Sequence, residues 1–261
     1  MKLLFFDIDG TLVDGKTQTI PESAQEGIRL AHERGHKIFI NTGRCKSFIP
    51  ACLKEIPIDG YCYACGAHIE YHDQVLFERF VDPADMMYIR DAMAESEIQG
   101  IFQGPEYCYF GDYDKLYSNL ANFMKMYERD YHADYRSMTE DDMKINKLVT
   151  FHEGDCPVDQ FVEKLKNRYQ LIFNGGGFIE ILPLEYTKAS CMDFLMEYFD
   201  VPEEECYVFG DSPNDLPMMT HIKNSICLGD GYDSVKEVSG YVTTALNEDG
   251  IYKALKHYDI I

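Results

Sequence analysis

Two acidic clusters, each directly behind an apolar run, carry the residues of this chain best suited to chemistry. The first, Asp7-Ile8-Asp9-Gly10-Thr11-Leu12, follows Leu3-Leu4-Phe5-Phe6. Carboxylates at i and i+2 on extended chain can be turned toward one site, and like charges held so close require a cation, a shared proton or different roles. Gly10 permits a sharp turn and leaves nearby amides able to meet an oxyanion. The alternative for this segment alone is an Asx turn closing a strand. The second cluster, Gly210-Asp211-Ser212-Pro213-Asn214-Asp215, follows Tyr207-Val208-Phe209. A helix cap accounts for Ser212 and Pro213 but does not ask for Asp211 and Asp215. Two acidic strand ends on one parallel sheet make a hard oxygen-donor site of the kind that suits Mg²⁺ with retained waters. Lys188, expected in the first turn of a helix capped by Thr187, adds an ammonium and a helix N-terminus, both of which favour an anion.

The elements that must position these residues can be read around them. Leu3 to Phe6 is an unbroken apolar run, as expected of a central parallel strand covered on both faces. Pro21, the stripe Ala24, Ile28 and Ala31, and Gly35 as a stop predict a helix over 21–34, and Lys37 to Ile40 a second strand that delivers Asn41-Thr42-Gly43-Arg44 to its end. Strand, helix, strand at this spacing is a βαβ unit, and such sheets bind ligands at the carboxyl ends of their strands. Asp7 and Thr42 should therefore face one crevice. A strand near 61–64 and a hairpin over 68–78 follow. At Asp82-Pro83, an N-cap before a proline in the first helical position, the pattern changes to an α+β alternation with helices near 83–95, 115–127 and from Pro157. Its strands are expected near 98–103, 107–110, 146–151, 169–173 and 178–182. Asn174-Gly175-Gly176-Gly177 links two of these strands and opens no helix, so it is not a dinucleotide loop. The α/β rhythm resumes at Thr187 and runs through Cys206 to Phe209, a helix after Ser212-Pro213, a strand near 225–228 and a helix near 248–257. The expected fold class is α/β, a doubly wound parallel-sheet core (1–81 and 185–261) interrupted by an inserted α+β cap (82–184).

With 261 residues, 46% hydrophobic and 26% charged, the composition is that of an ordinary globular chain. A net charge of −21 would repel nucleic acid and anionic headgroups at long range, so neither is an expected partner. No stretch approaches the ~20 apolar residues of a membrane span, and the start offers only a short apolar run before Asp7, which predicts a cytoplasmic protein. The nine cysteines fit reduced thiols better than a disulfide framework. Cys62-x-x-Cys65 with His68 and His72 has zinc-like residue types without the intervening loop of a zinc module, so buried thiols on a core strand are the preferred reading.

These motifs resemble those of the haloacid dehalogenase superfamily of aspartyl-phosphate phosphatases, specifically the Cof-like group with a large α/β cap. The resemblance covers nearly the whole chain and is strongest over 1–81 and 187–261. It implies that Asp7 is the nucleophile and Asp9 the general acid/base, that Thr42, the Gly43 amide, Lys188 and Asn214 hold phosphate, and that Asp7, Asp9, Asp211 and Asp215 form the Mg²⁺ site. Where relatives often have Asn-Gly-Ala this chain has Cys65-Gly66-Ala67, and Ala189 replaces the glycine usual after the motif lysine. Arg44 is expected either to clamp an anionic substrate or to pair with nearby acids. The implied activity is Mg²⁺-dependent hydrolysis of a phosphomonoester of a small metabolite, of sugar phosphate, nucleotide, flavin or pyridoxal phosphate type. A phosphotransferase or phosphomutase would use the same Asp7 chemistry, and a signalling or binding protein that holds a phospho-ligand without turnover is the remaining alternative. No second catalytic constellation is visible in 82–184, so the cap is expected to shield the site and read the leaving group.

Overall fold

The computed structural model describes residues 1–131, 135–140, 142–174 and 176–261. They form two units, Met1–Gly43 with Ala51–Glu78 and Tyr186–Ile261, and Arg44–Pro50 with Arg79–Glu185. The first unit opens with β1 (Leu3–Phe6), α1 (Glu22–Glu33), β2 (Lys37–Asn41), β3 (Gly60–Tyr63), β4 (His68–Tyr71) and β5 (Gln74–Glu78). The second contains α2 (Pro83–Glu95), β6 (Gln99–Gln103), β7 (Cys108–Phe110), α3 (Ser118–Tyr131), β8 (Tyr135–Ser137), β9 (Lys147–Phe151), α4 (Val158–Leu165), β10 (Tyr169–Asn174) and β11 (Phe178–Pro183). The chain returns to the first unit with α5 (Ser190–Phe199), β12 (Cys206–Gly210), α6 (Leu216–His221), β13 (Ser225–Cys227), α7 (Asp233–Lys236), β14 (Tyr241–Val242) and α8 (Gly250–His257).

In the first unit the strand order is β14-β13-β12-β1-β2-β3-β4-β5. The strands from β14 to β3 pair in parallel, and β4 and β5 extend the sheet as an antiparallel hairpin. Leu3, Leu4, Phe5 and Phe6 are all fully buried between β12 and β2, which is why β1 reads as an apolar run and not as an alternation. Stacked rings tie the strands together, with centroids 4.4 Å apart for Phe6 and Phe209 and 5.5 Å for Phe5 and Phe39. α1 buries Ala24, Gly27, Ile28 and Ala31. Gly27 allows α8 to lie close, since a Cβ there would sit 3.0 Å from the Leu255 side chain. Parallel pairing brings the carboxyl ends of β1, β2 and β12 to one edge, so that Asp7, Thr42 and Asp211 each leave the sheet on the same side.

The second unit is a six-stranded sheet in the order β10-β11-β9-β6-β7-β8, antiparallel except for the β7–β8 pair. Phe102, Leu148 and Ile181 of this sheet share a buried cluster with Ile89 and Met93 of α2 and Phe161 and Leu165 of α4. Asp82 caps α2 as expected, accepting from the Ala84 amide at 2.8 Å, with Pro83 in the first turn. The stretch Arg44–Pro50 belongs here because Phe48 packs on α3, with its ring centroid 4.4 Å from that of Tyr127 and 5.7 Å from that of Phe123. In the link between β10 and β11, Gly175 lies outside the described residues.

Five elements depart from the sequence expectation. β8, β14 and α7 carry no periodic signal: every residue of β8 is exposed, β14 has two residues, and α7 has four. α3 starts at Ser118 and not near 115. The helix after Ser212-Pro213 is divided into a 3₁₀ turn, Pro213–Asp215, and α6. Among the described residues no helix is long and apolar enough to cross a membrane.

Candidate active site

Asp7 begins where β1 stops, and its amide still continues the sheet by donating to Phe209 O at 3.1 Å. Its carboxylate is buried and lies 2.6 Å from Lys188 Nζ. Lys188 is also 2.6 Å from Asp215 Oδ1, so one fully buried ammonium bridges two buried acids. The other oxygen of Asp215 accepts from the amides of Asp211 (2.9 Å) and Ser212 (3.0 Å). Ser212 and Asp215 thus form a capping box around Pro213. A cap therefore does ask for Asp215, contrary to the sequence argument, and the same carboxylate serves both the turn and Lys188.

Asp211 is held from the first cluster. Thr11 is fully buried and its Oγ1 donates to Asp211 Oδ1 at 2.6 Å, a contact between residues far apart in sequence that no local pattern announces. Gly10 makes room for it: at φ +81° a Cβ would lie 2.5 Å from Asp211 Oδ2, so both the backbone and the neighbouring carboxylate require glycine here.

Oxygen atoms of Asp7, Asp211 and Asp215 lie within 4.8 Å of one another. Asp9, expected among the metal acids, is exposed and its carboxylate is outside this group. Lys188 is also displaced from its expected place. α5 starts at Ser190, so Lys188 sits in the turn before it, while the Thr187 hydroxyl accepts from the Ala189 (3.2 Å) and Ser190 (3.3 Å) amides. Thr42 is buried at the end of β2, its amide donating to Cys62 O and its carbonyl accepting from Cys65 N, each at 2.9 Å. Gly43 follows it as the last residue of its segment in the first unit, and Arg44, in the second, donates to Phe48 O at 2.9 Å. Asn214 is exposed and its Oδ1 accepts from Ser212 Oγ at 2.7 Å. Cys62 and Cys65 are buried, and the nearby imidazoles face carboxylates: His68 lies 3.0 Å from Glu70 and 3.3 Å from Glu78, and His72 3.7 Å from Asp59.

Two buried carboxylates share one buried ammonium, and the partly buried Asp211 stands beside them. Burial pushes Asp7 up to about 8 against the pull of Lys188, with Asp215 and Asp9 adding to the rise. Asp211 is pushed up to about 7, again chiefly by burial and against its hydrogen bond from Thr11. Burial alone would discharge Lys188, but Asp215 and Asp7 outweigh it and hold the ammonium well above its ordinary range. The donor set is all oxygen and short of positive charge, the chemistry that fits a hard divalent cation. Asp7 and Asp211 suit that role best, because both oxygens of Asp215 are already engaged.

Residues 4–255 match the family model described as haloacid dehalogenase-like hydrolase. The chain is 24% identical to the 5-amino-6-(5-phospho-D-ribitylamino)uracil phosphatase YitU of Bacillus subtilis, over 98% of this chain and 97% of that one. Among solved structures, the subclass IIB sugar phosphatase BT4131 superposes with a TM-score of 0.84 at 27% identity, covering 100% of both chains. The phosphatase BT1666 from Bacteroides thetaiotaomicron shares the fold, with a TM-score of 0.85 at 22% identity over 100% of this chain and 96% of that one.

Proposed function

The chain belongs to the haloacid dehalogenase-like hydrolases and is a phosphatase of their Cof-like group, and from that premise we propose that it hydrolyses phosphomonoesters of small metabolites with Mg²⁺ through an aspartyl-phosphate intermediate. The observation that carries this reading is the close group of Asp7, Asp211 and Asp215, two of whose carboxylates pair with the buried ammonium of Lys188. Asp7 and Asp211 would hold Mg²⁺, which when bound neutralises the phosphate dianion and offsets the repulsion of the acids.

Asp7 attacks phosphorus in line, and its acyl-phosphate bond, a mixed anhydride, forms as the bond to the leaving oxygen breaks. Asp9, exposed and two residues from the nucleophile, gives a proton to that oxygen and then takes one from the water that hydrolyses the aspartyl phosphate. Lys188, the Thr42 hydroxyl and the Gly43 amide hold the phosphoryl oxygens. With its Oδ1 tied to Ser212, Asn214 has its amide nitrogen to offer the same anion. Asp215 keeps Lys188 and the Asp211 turn in register. These groups must bind a dianion against a net charge of −21, so binding is local and not steered by the overall field.

All of these residues belong to the first unit, and we assign selection among esters to the inserted unit. Two relatives are named for a phosphoribityl compound and a sugar phosphate, both phosphorylated polyhydroxy carbon chains, which makes that class the first to test. The experiment is a screen of phosphorylated sugars, polyols, nucleotides, flavin and pyridoxal compounds for inorganic phosphate release, with Mg²⁺ and with chelator, in the absence of an acceptor. Metal-dependent release by wild type but not by Asp7→Asn supports the proposal. Turnover only with an added acceptor would make the chain a phosphotransferase, and binding without turnover a phospho-ligand binding protein.

A further inference from the structure

Asn41 takes no part in the chemistry above, yet it is fully buried at the end of β2, immediately before Thr42. Its Nδ2 donates to the main-chain oxygen of Lys188 at 2.7 Å and lies 3.6 Å from the Met218 sulfur. Its Oδ1 accepts from Cys191 Sγ at 3.3 Å, and that thiol is also 3.2 Å from Lys188 O. A carbonyl can only accept, so Lys188 O fixes which end of the Asn41 amide faces it, and the one thiol proton of Cys191 lies between two acceptors, Asn41 Oδ1 and Lys188 O.

The main chain explains why Lys188 O needs a side-chain donor. In the first turn of α5 the amides of Met192 and Asp193 both donate to Ala189 O, at 2.9 and 3.3 Å. Lys188 O, one residue earlier, lies outside that ladder, and a buried carbonyl left without a donor is costly. Asn41 from the sheet and Cys191 from the helix supply the donors. Lys188 is consequently pinned at both ends, its tip by Asp7 and Asp215 and its root by Asn41.

We propose that Asn41 is a positioning residue for Lys188, fixing the main chain from which the ammonium reaches the phosphoryl group. The proposal rests on the reading of Lys188 as phosphate-binding. It makes the end of β2 set two phosphate contacts together, Thr42 directly and Lys188 through Asn41. A flexible lysine whose root can shift loses reach and orientation even when its own side chain is intact.

The test compares Asn41→Ala, Asn41→Asp, Lys188→Met and the two double variants. Its readouts are kcat/KM for a small aryl phosphate in Mg²⁺, Kd for inorganic phosphate, and the melting temperature. Asn41→Ala is expected to lower kcat/KM about tenfold, as loss of a group supporting an active-site residue commonly does, and to weaken phosphate binding. Asn41→Asp, which sets an acceptor against Lys188 O, is expected to do more. On the Lys188→Met background neither change should alter phosphate Kd further, whereas a general packing defect would weaken both backgrounds alike. Asn41→Ala activity within twofold of wild type, or an equal loss on both backgrounds, overturns the proposal. Unchanged phosphate affinity in Lys188→Met overturns the reading of Lys188 itself, and the proposal with it. If both Asn41 variants fail to fold, Cys191→Ala removes only the second donor: a smaller loss that vanishes on the Lys188→Met background supports the proposal, and one that persists there overturns it.

Discussion

Lys188 and Asp215 form a 2.6 Å ion pair in which neither side chain is exposed at all. The carboxylate at one end of that pair also closes the turn that carries Asp211. Catalytic charge and backbone geometry therefore depend on one side chain.

Asp215→Ala is expected to destabilise the protein by about 3 kcal/mol, the low end of the usual cost of breaking a buried pair, because Asp7 still faces Lys188. Adding Lys188→Met to that variant should recover part of the loss, because the buried ammonium, left with Asp7 as its remaining paired acid, is then gone. Urea unfolding of both single variants and the double variant measures the coupling, and strictly additive losses would show that the pair is not a unit.

Asp7→Asn is expected to fold normally and to lose turnover. In the absence of metal it should be at least as stable as wild type, because an amide replaces an acid that burial has already pushed up to about 8. Substantial hydrolysis by this variant, with deamidation excluded, would sink the aspartyl-phosphate mechanism.

Stability of the metal-free protein should fall as pH rises. Asp7, up to about 8, and Asp211, up to about 7, lie above the ~3.9 of an unfolded aspartate, so the folded state binds their protons more tightly. That contribution is complete below the unfolded value and is lost as pH climbs through the folded ones. The gain in melting temperature on replacing chelator with Mg²⁺ should accordingly be largest near pH 8 and shrink toward about pH 5. A gap of constant size across that range would place the metal away from these acids.

Thr11→Val keeps the shape of the side chain and removes the hydrogen bond to Asp211. The Mg²⁺ concentration for half-maximal activity is expected to rise about tenfold, with activity at saturating Mg²⁺ largely kept. Asp211→Ala should abolish the activation. Magnesium titrations that coincide for wild type and Thr11→Val would show that Asp211 needs no such support.

What could be read without coordinates was whatever leaves a local mark. Leu3 to Phe6 is buried on both faces and ends in an acid, so β1 and Asp7 are legible together, as are β12 and Asp211. α1 is legible because Pro21, its buried stripe and Gly35 follow helical rules in one short segment. The bonds from Thr11 to Asp211 and from Asn41 to Lys188 join residues far apart in sequence, and no local pattern links either pair. β8 was illegible for the opposite reason: Tyr135, Arg136 and Ser137 are all exposed, so no burial period is imprinted on them.

The grouping of Arg44–Pro50 with the second unit bears on how such inserts can be exchanged between relatives. A graft that swaps only Arg79–Glu185 would bring in a foreign partner for Phe48, whose ring is matched to Tyr127 and Phe123 of the resident helix. A chimera built from this scaffold therefore has two seams to respect, and the short upstream piece must travel with the large downstream one. Lineages that traded inserts would be expected to have changed both stretches together, leaving Thr42 and Gly43, just before the first seam, untouched.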